Sequence, residues 1–159
     1  MRKLEFNKSI NEALEISMKK NSKVILLGLG VDDPKSIFGT THNLVEKFGK
    51  KRVFDMPTAE NGMTGIAIGA SLSGFFPVIT HQRVEFALLS MEQIINQAAK
   101  WFYMNAGQMS VPIVIRLIVG RGWGQGPQHS QSLENLFSSI PGLKVVCPSS
   151  ARDAKGLLI

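Results

Sequence analysis

Five short apolar runs recur along the chain, and stretches of helical length separate most of them. VILLGLG (Val24–Gly30), RVFD (Arg52–Asp55), FPVIT (Phe76–Thr80), PIVIRLIV (Pro112–Val119) and KVVC (Lys144–Cys147) each have strand length. A near-continuous apolar run reads as a strand buried on both faces, the usual state of a strand in a parallel sheet. Between the runs, Ile10, Ala13, Leu14, Ile16 and Met18 follow helical spacing and predict a helix over Ser9–Lys20. Further helices are expected near His42–Phe48, over Glu60–Gly74, Met91–Asn105 and Leu133–Ser138, and from Ala151 to Ile159. This alternation predicts an α/β domain with a mostly parallel sheet and helices on both faces. In such folds ligands sit beyond the carboxyl ends of the strands. The loops after Asp55, Thr80 and Val119 should therefore share one edge.

One helical stretch is unusual. Gly62, Gly65, Ala67, Gly69, Ala70 and Ser73 recur between Glu60 and Gly74. Glycine costs about 1 kcal/mol per helical position relative to alanine. Accepting that cost repeatedly points to close approach by another backbone.

The chain has 159 residues, the size of one domain, expected to span 1–159. It ends in a helical pattern, which leads us to expect a domain cut short at its C-terminal end. The net charge of +6 is uneven: residues 1–52 hold eleven Lys and Arg against six acids, the remainder seven against six. The basic residues are scattered through an amphipathic pattern without interleaved aromatics, which argues against a nucleic-acid partner. Cys147 is the only cysteine, so neither an internal disulfide nor a cysteine-based zinc site can form. The N-terminus has no apolar signal core and no window is long enough to span a membrane, so the expected location is cytoplasmic, with no membrane partner.

Several site motifs are missing. Asp33 stands where the dinucleotide fingerprint beginning at Gly28 would need its third glycine, and there is no GK[ST] phosphate loop or GxSxG elbow. His42, His81 and His129 have no metal-ligand spacing, so no metal site is expected on this chain. What remains is one carboxylate, one aromatic and one histidine on three loops: Glu60, Phe86 and His129. Spacing alone gives each an ordinary explanation. An acid in a helix first turn complements the dipole by about 0.3–1 kcal/mol. A loop histidine is often structural, and an aromatic after a strand often belongs to the core.

The strings VFDMPTAENGMTGIAIGASLSGFFPV, MEQIINQAAKWFYMNAGQ, VPIVIR, GPQHSQS and PGLKVVCPSSARDAKGLL occur in this order along nearly the whole chain. Together they resemble the pyrimidine-binding domain of thiamine diphosphate-dependent 2-oxoacid dehydrogenases, specifically their beta subunits, within the transketolase-like superfamily. The resemblance implies that Glu60 hydrogen-bonds the ring nitrogen of the cofactor's aminopyrimidine. There a carboxylate sharing a proton with the ring would favour the imino tautomer, making the exocyclic amine basic. Phe86 would pack on the pyrimidine face. His129 would face the substrate, binding the 2-oxoacid carboxylate or handling protons during transfer to a lipoyl group. After FFPVIT the chain departs from the family's usual acidic or apolar-aromatic start, and Arg83 and Arg121 become candidate substrate contacts. Variable surface or subunit-interface residues are the ordinary explanation of both.

The resemblance also implies what must come from elsewhere. The family holds diphosphate and Mg²⁺ through a GDG-and-Asn motif on a partner alpha subunit, and no GDG occurs in these residues. An alpha-type partner, self-association and a lipoyl acyltransferase are the implied partners, and a second C-terminal domain would normally follow. The chain alone should then be inactive. A split transketolase-like two-carbon transferase and a non-catalytic binding domain are the competing readings.

Overall fold

The protein is described by a computed structural model covering residues 2–33, 35–120, 122 and 124–159. Four strands form one all-parallel sheet in the order β2-β1-β3-β4: β1 Val24–Gly28, β2 Val53–Asp55, β3 Phe76–His81 and β4 Val114–Leu117. All five residues of β1 are buried, as its unbroken apolar run requires.

The two faces of the sheet carry separate cores. Leu26 and Val78 pack with Leu14, Met18, Leu44 and Val53 beneath α1 (Phe6–Lys20) and α3 (Leu44–Phe48). Ile25, Leu27 and Ile79 pack with Met63 and Ala67 of α4 (Glu60–Leu72). Alternate residues of β1 thus serve opposite cores, and the expected helices on both faces are present. α7 (Ala151–Leu158) lies against α1, where Lys155 reaches Glu12 at 2.9 Å.

Register aligns the carboxyl ends. Gly28 pairs with both Asp55 and Thr80, and His81 pairs with Leu117. Gly28 has φ +148°, and a Cβ there would lie 2.3 Å from the Thr80 carbonyl oxygen. No other residue type fits this contact. At the opposite end, Arg52 donates from Nη2 to the carbonyls of Met18 (2.9 Å), Asn21 (3.0 Å) and Val24 (2.9 Å). It satisfies carbonyls at the end of α1 while fixing the entry to β1.

Two sequence expectations need correction, and one feature lies beyond them. Lys144–Cys147 forms no strand: among the described residues β4 pairs only with β3, and Val145 and Val146 are exposed. An apolar run becomes a strand only where a neighbouring backbone accepts its ladder. The expected single helix over Met91–Asn105 is interrupted by a π-helical segment, Gln93–Ala98, before α5 (Trp101–Met104). The wider turn adds a residue and rotates the helical turns beyond it. Ile94 and Ala99 stay buried, whereas Phe102 and Tyr103 turn outward, Tyr103 being 87% exposed. Finally, the loop after β1 contains α2 (Ser36–Gly39), a single turn in which Ser36, Ile37 and Phe38 all have positive φ. Three successive non-glycine residues in that region carry strain that no propensity scale anticipates.

Replacing Gly28 with alanine should lower the unfolding free energy by about 2–4 kcal/mol, because β1 must move away from β3. Denaturant titration would measure the loss. Arg52→Met should cost about 2–3 kcal/mol, the loss of a charge-assisted clamp.

Candidate functional site

The site lies along the carboxyl edge of the sheet, where the aligned register places the exits of all four strands. Asp55, at the end of β2, organises the loop leaving β1. Its carboxylate accepts backbone N–H groups from Gly30 (2.9 Å), Val31 (2.5 Å) and Asp32 (3.2 Å). Three donors on one carboxylate tie this loop to the end of β2.

Glu60 opens α4 and is 7% exposed. Its position at the helix N-terminus favours a negative charge. No hydrogen bond or ion pair reaches its carboxylate from the described residues. Its carbonyl instead accepts the Thr64 hydroxyl at 2.8 Å. Thr64 Oγ1 also lies 3.4 Å from His81 Nε2 and 3.1 Å from Ser90 Oγ, and all three side chains are fully buried. This buried polar cluster joins the first turn of α4 to the end of β3 and to the 3-10 segment Glu85–Ser90. Burial holds His81 down to about 4, so its imidazole is neutral at neutral pH, and its Nδ1 has no partner among the described residues.

His129, in the loop after β4, meets the residues that follow β3. Its Nδ1 lies 2.8 Å from Glu85 Oε1. Its ring centroid lies 5.4 Å from that of Phe86, with the planes tilted by 41°. The backbone is fixed too: a Cβ on Gly120 would come within 2.2 Å of the His129 carbonyl oxygen. Val84 N–H donates to the Ile118 carbonyl at 2.9 Å, tying the segment bearing Glu85 to the exit of β4.

Arg83 hydrogen-bonds Gln125 Oε1 at 2.5 Å and places its guanidinium 5.5 Å from the Phe38 ring. It therefore bridges the turn after β1 and the loop after β4. Arg116, half-buried on β4, donates to Thr80 Oγ1 at 3.4 Å; burial lowers it to about 10, leaving it charged at neutral pH. The other expected cation, Arg121, and Trp123 beside it lie outside the described residues.

Sequence reading placed Glu60, Phe86, His129 and Arg83 on loops sharing one edge, and the structure puts all four there. It brings Phe86 and His129 into contact. It joins Glu60 to neither by a hydrogen bond or ion pair among the described residues. Glu85 and the cluster of Thr64, His81 and Ser90 were missed. Glu85 directly precedes Phe86, but a single acid carries no periodic signal, and its partner stands 44 residues away. The described residues contain no group of three or more His, Cys, Asp or Glu that could hold a metal ion, and no helix long and apolar enough to cross a membrane.

The close backbone approach expected along the glycine row of α4 is not found among the described residues. Gly65 meets the Gln93 side chain, at 3.4 Å from where a Cβ would stand. A Cβ on Gly62 would meet only that of Ala59, at 3.8 Å, and one on Gly69 would meet nothing within 4 Å. With Ile66, 56% exposed, they face outward, so no backbone among the described residues occupies that face.

The buried neutral His81 gives stability a specific pH dependence. Below about 6.5 the unfolded imidazole takes up a proton that the folded one refuses until about 4. Stability should therefore fall as pH drops through that window, with this contribution constant above it. The full effect is about 3 kcal/mol. His81→Phe should flatten the profile between those pH values, as measured by denaturant unfolding.

Comparison with known proteins gives a consistent picture. The family model described as the transketolase, pyrimidine binding domain matches residues 2–159. The mitochondrial pyruvate dehydrogenase E1 component subunit beta of Pisum sativum is 45% identical over 150 residues, covering 94% of this chain and 42% of the relative. The beta subunit of acetoin:2,6-dichlorophenolindophenol oxidoreductase from Bacillus subtilis (strain 168) is 41% identical over 170 residues, covering 99% and 50%. The chain thus spans half or less of the length of these relatives. A solved structure described as a split gene transketolase, inactive beta4 tetramer, matches with a TM-score of 0.71 at 22% identity, covering 96% of this chain and 46% of that one. That likeness concerns the fold.

Proposed function

This chain belongs to the transketolase pyrimidine-binding domain family, and from that premise we propose that it supplies the aminopyrimidine half of a thiamine diphosphate site in a beta-type subunit of a 2-oxoacid dehydrogenase. The observation that carries the proposal is Glu60: a residue 7% exposed at a helix N-terminus, whose carboxylate receives no hydrogen bond from any described residue. A carboxylate so confined and without a protein donor is open to a donor from a ligand. The aminopyrimidine of thiamine diphosphate has the complementary chemistry, a ring nitrogen able to share a proton with a carboxylate. The similarity to beta subunits of pyruvate and acetoin-oxidising enzymes supports the same reading.

In this reading Glu60 holds the ring and shares the proton, and Phe86 lies against the ring's face. His129 faces the substrate, with its side chain 39% exposed. When bound, the cofactor supplies the electron sink for decarboxylation of the 2-oxoacid. Arg83 and Arg116 give the edge positive charge suited to an anionic substrate. Passing the acyl group to a lipoyl carrier would complete the reaction.

The half-site needs completion. A charge-assisted hydrogen bond from Glu60 contributes roughly 1.5–3 kcal/mol, and packing against Phe86 about 0.5–1.5 kcal/mol. Association costs about 4–15 kcal/mol before any net affinity results. Diphosphate and Mg²⁺ therefore fall to an alpha-type partner carrying the GDG motif absent from these residues. The outward row of Gly62, Ile66 and Gly69 offers α4 a surface for close packing in such an assembly.

Calorimetry of the isolated chain should detect no micromolar binding of thiamine diphosphate. Co-expression with an alpha-type subunit should yield an assembly that reduces 2,6-dichlorophenolindophenol when supplied with a 2-oxoacid. Glu60→Gln should lower that rate at least about 100-fold, the scale of an acid–base contribution. An unchanged rate would refute the reading. Turnover with aldose acceptors but not with 2-oxoacids would replace it by a two-carbon transferase.

A further inference from the structure

We propose that Glu85 is the positioning residue for His129: it keeps a proton on Nδ1, so that Nε2 is the atom through which the imidazole exchanges protons at the site. The contact is 2.8 Å between His129 Nδ1 and Glu85 Oε1. An ionised carboxylate can only accept here, and Nδ1 then carries the hydrogen. This leaves two states of the ring. The neutral ring presents a lone pair at Nε2, and the imidazolium presents an N–H there. The proton that comes and goes is the one on Nε2 in either direction. Glu85 stays a carboxylate throughout and balances the charge when the ring is an imidazolium.

The pair differs from an incidental surface contact. The Glu85 side chain is 8% exposed and that of His129 39%, so the acid is the buried end and the ring the accessible one. Glu85 Oε2 is buried without a partner among the described residues, which makes His129 the one described partner of a desolvated carboxylate. An acid so placed cannot turn to solvent for a substitute. The ring has little freedom to leave it. Phe86 packs on it at 5.4 Å, and Gly120 admits the His129 backbone at a distance that any side chain would deny. Glu85 is itself anchored through Val84, whose N–H is bound to the Ile118 carbonyl. An acid orienting the far nitrogen of a histidine so that the near one can work is a general solution to tautomer control.

The consequence for catalysis rests on the reading of the site given above, whereas the tautomer itself does not. Both can be measured separately. Nitrogen-15 NMR of the full chain labelled at histidine, with His129 assigned from the His129→Gln spectrum, reports which ring nitrogen is protonated. Above the range in which histidine ordinarily titrates, His129 should show a protonated Nδ1 and a bare Nε2. A wild-type Nε2–H tautomer would overturn the proposal without recourse to any variant. Glu85→Ala should shift the ring towards Nε2–H, and persistence of Nδ1–H would also overturn it.

In the assembly with the alpha-type partner, Glu85→Ala should lower kcat about tenfold or more. The double variant with His129→Ala should be no slower than His129→Ala alone, because Glu85 acts through that ring. Additive losses would show a merely structural role and overturn the proposal. Full activity of His129→Ala would instead remove His129 from the reaction. That outcome would overturn the catalytic consequence and the assigned role of His129 together, and the NMR result would still decide the tautomer.

Discussion

Everything at the functional edge hangs from the contact between β1 and β3. Gly28 sits so close to the Thr80 carbonyl that a single methyl group would part the strands. The same residue pairs with Asp55 on its other side. Three strand exits are therefore fixed by one position in the sequence. Asp55 gathers the backbone of residues 30–32, Thr80 is followed by the buried His81, and the short link after Asp55 leads to Glu60. The sheet is small, but its tight registration gives the loops a common reference.

Beneath that edge lies a buried polar layer rather than a purely apolar one. Thr64, His81 and Ser90 connect the start of α4 to the segment carrying Glu85 and Phe86. Buried hydrogen bonds constrain direction as well as distance, so these contacts fix relative position even though His81 Nδ1 has no partner among the described residues. The site thus has two fixed ends. One is the Glu60 turn, set by Thr64, and the other is the Glu85–His129 pair, set by Val84 and Gly120. Arg83 adds a third tie by holding Gln125 and lying over Phe38.

Much of this was legible in the sequence, and the residues show why the rest was not. The runs of β1 and β3 were readable because they are buried on the sheet and apolarity reports burial directly, whereas β2 and β4 kept the apolar pattern with only partial burial. KVVC carries the same signal, but apolarity does not report whether a neighbouring strand is present. Within the helix expected over Met91–Asn105, Ile94 is buried, and the π-helical segment then turns Phe102 and Tyr103 outward, a change that leaves composition untouched. Left-handed Ser36, Ile37 and Phe38 run against intrinsic preference, so no local rule could suggest them. Glu60, Phe86 and His129 stood out through resemblance of their surrounding motifs. Glu85 became visible only as a partner in space.

The packing of α1 against α7 has a consequence in time. Glu12 and Lys155 are 143 positions apart, and β1 finds its β3 partner only some fifty residues later. During synthesis the earliest apolar surfaces, on α1 and β1, wait for segments not yet made. Long-range closure of this kind slows folding and leaves partly made chains adhesive. Such a chain completes the packing of α1 only once α7 has been made, and until then depends on its surroundings to keep early helix and early strand from finding the wrong company.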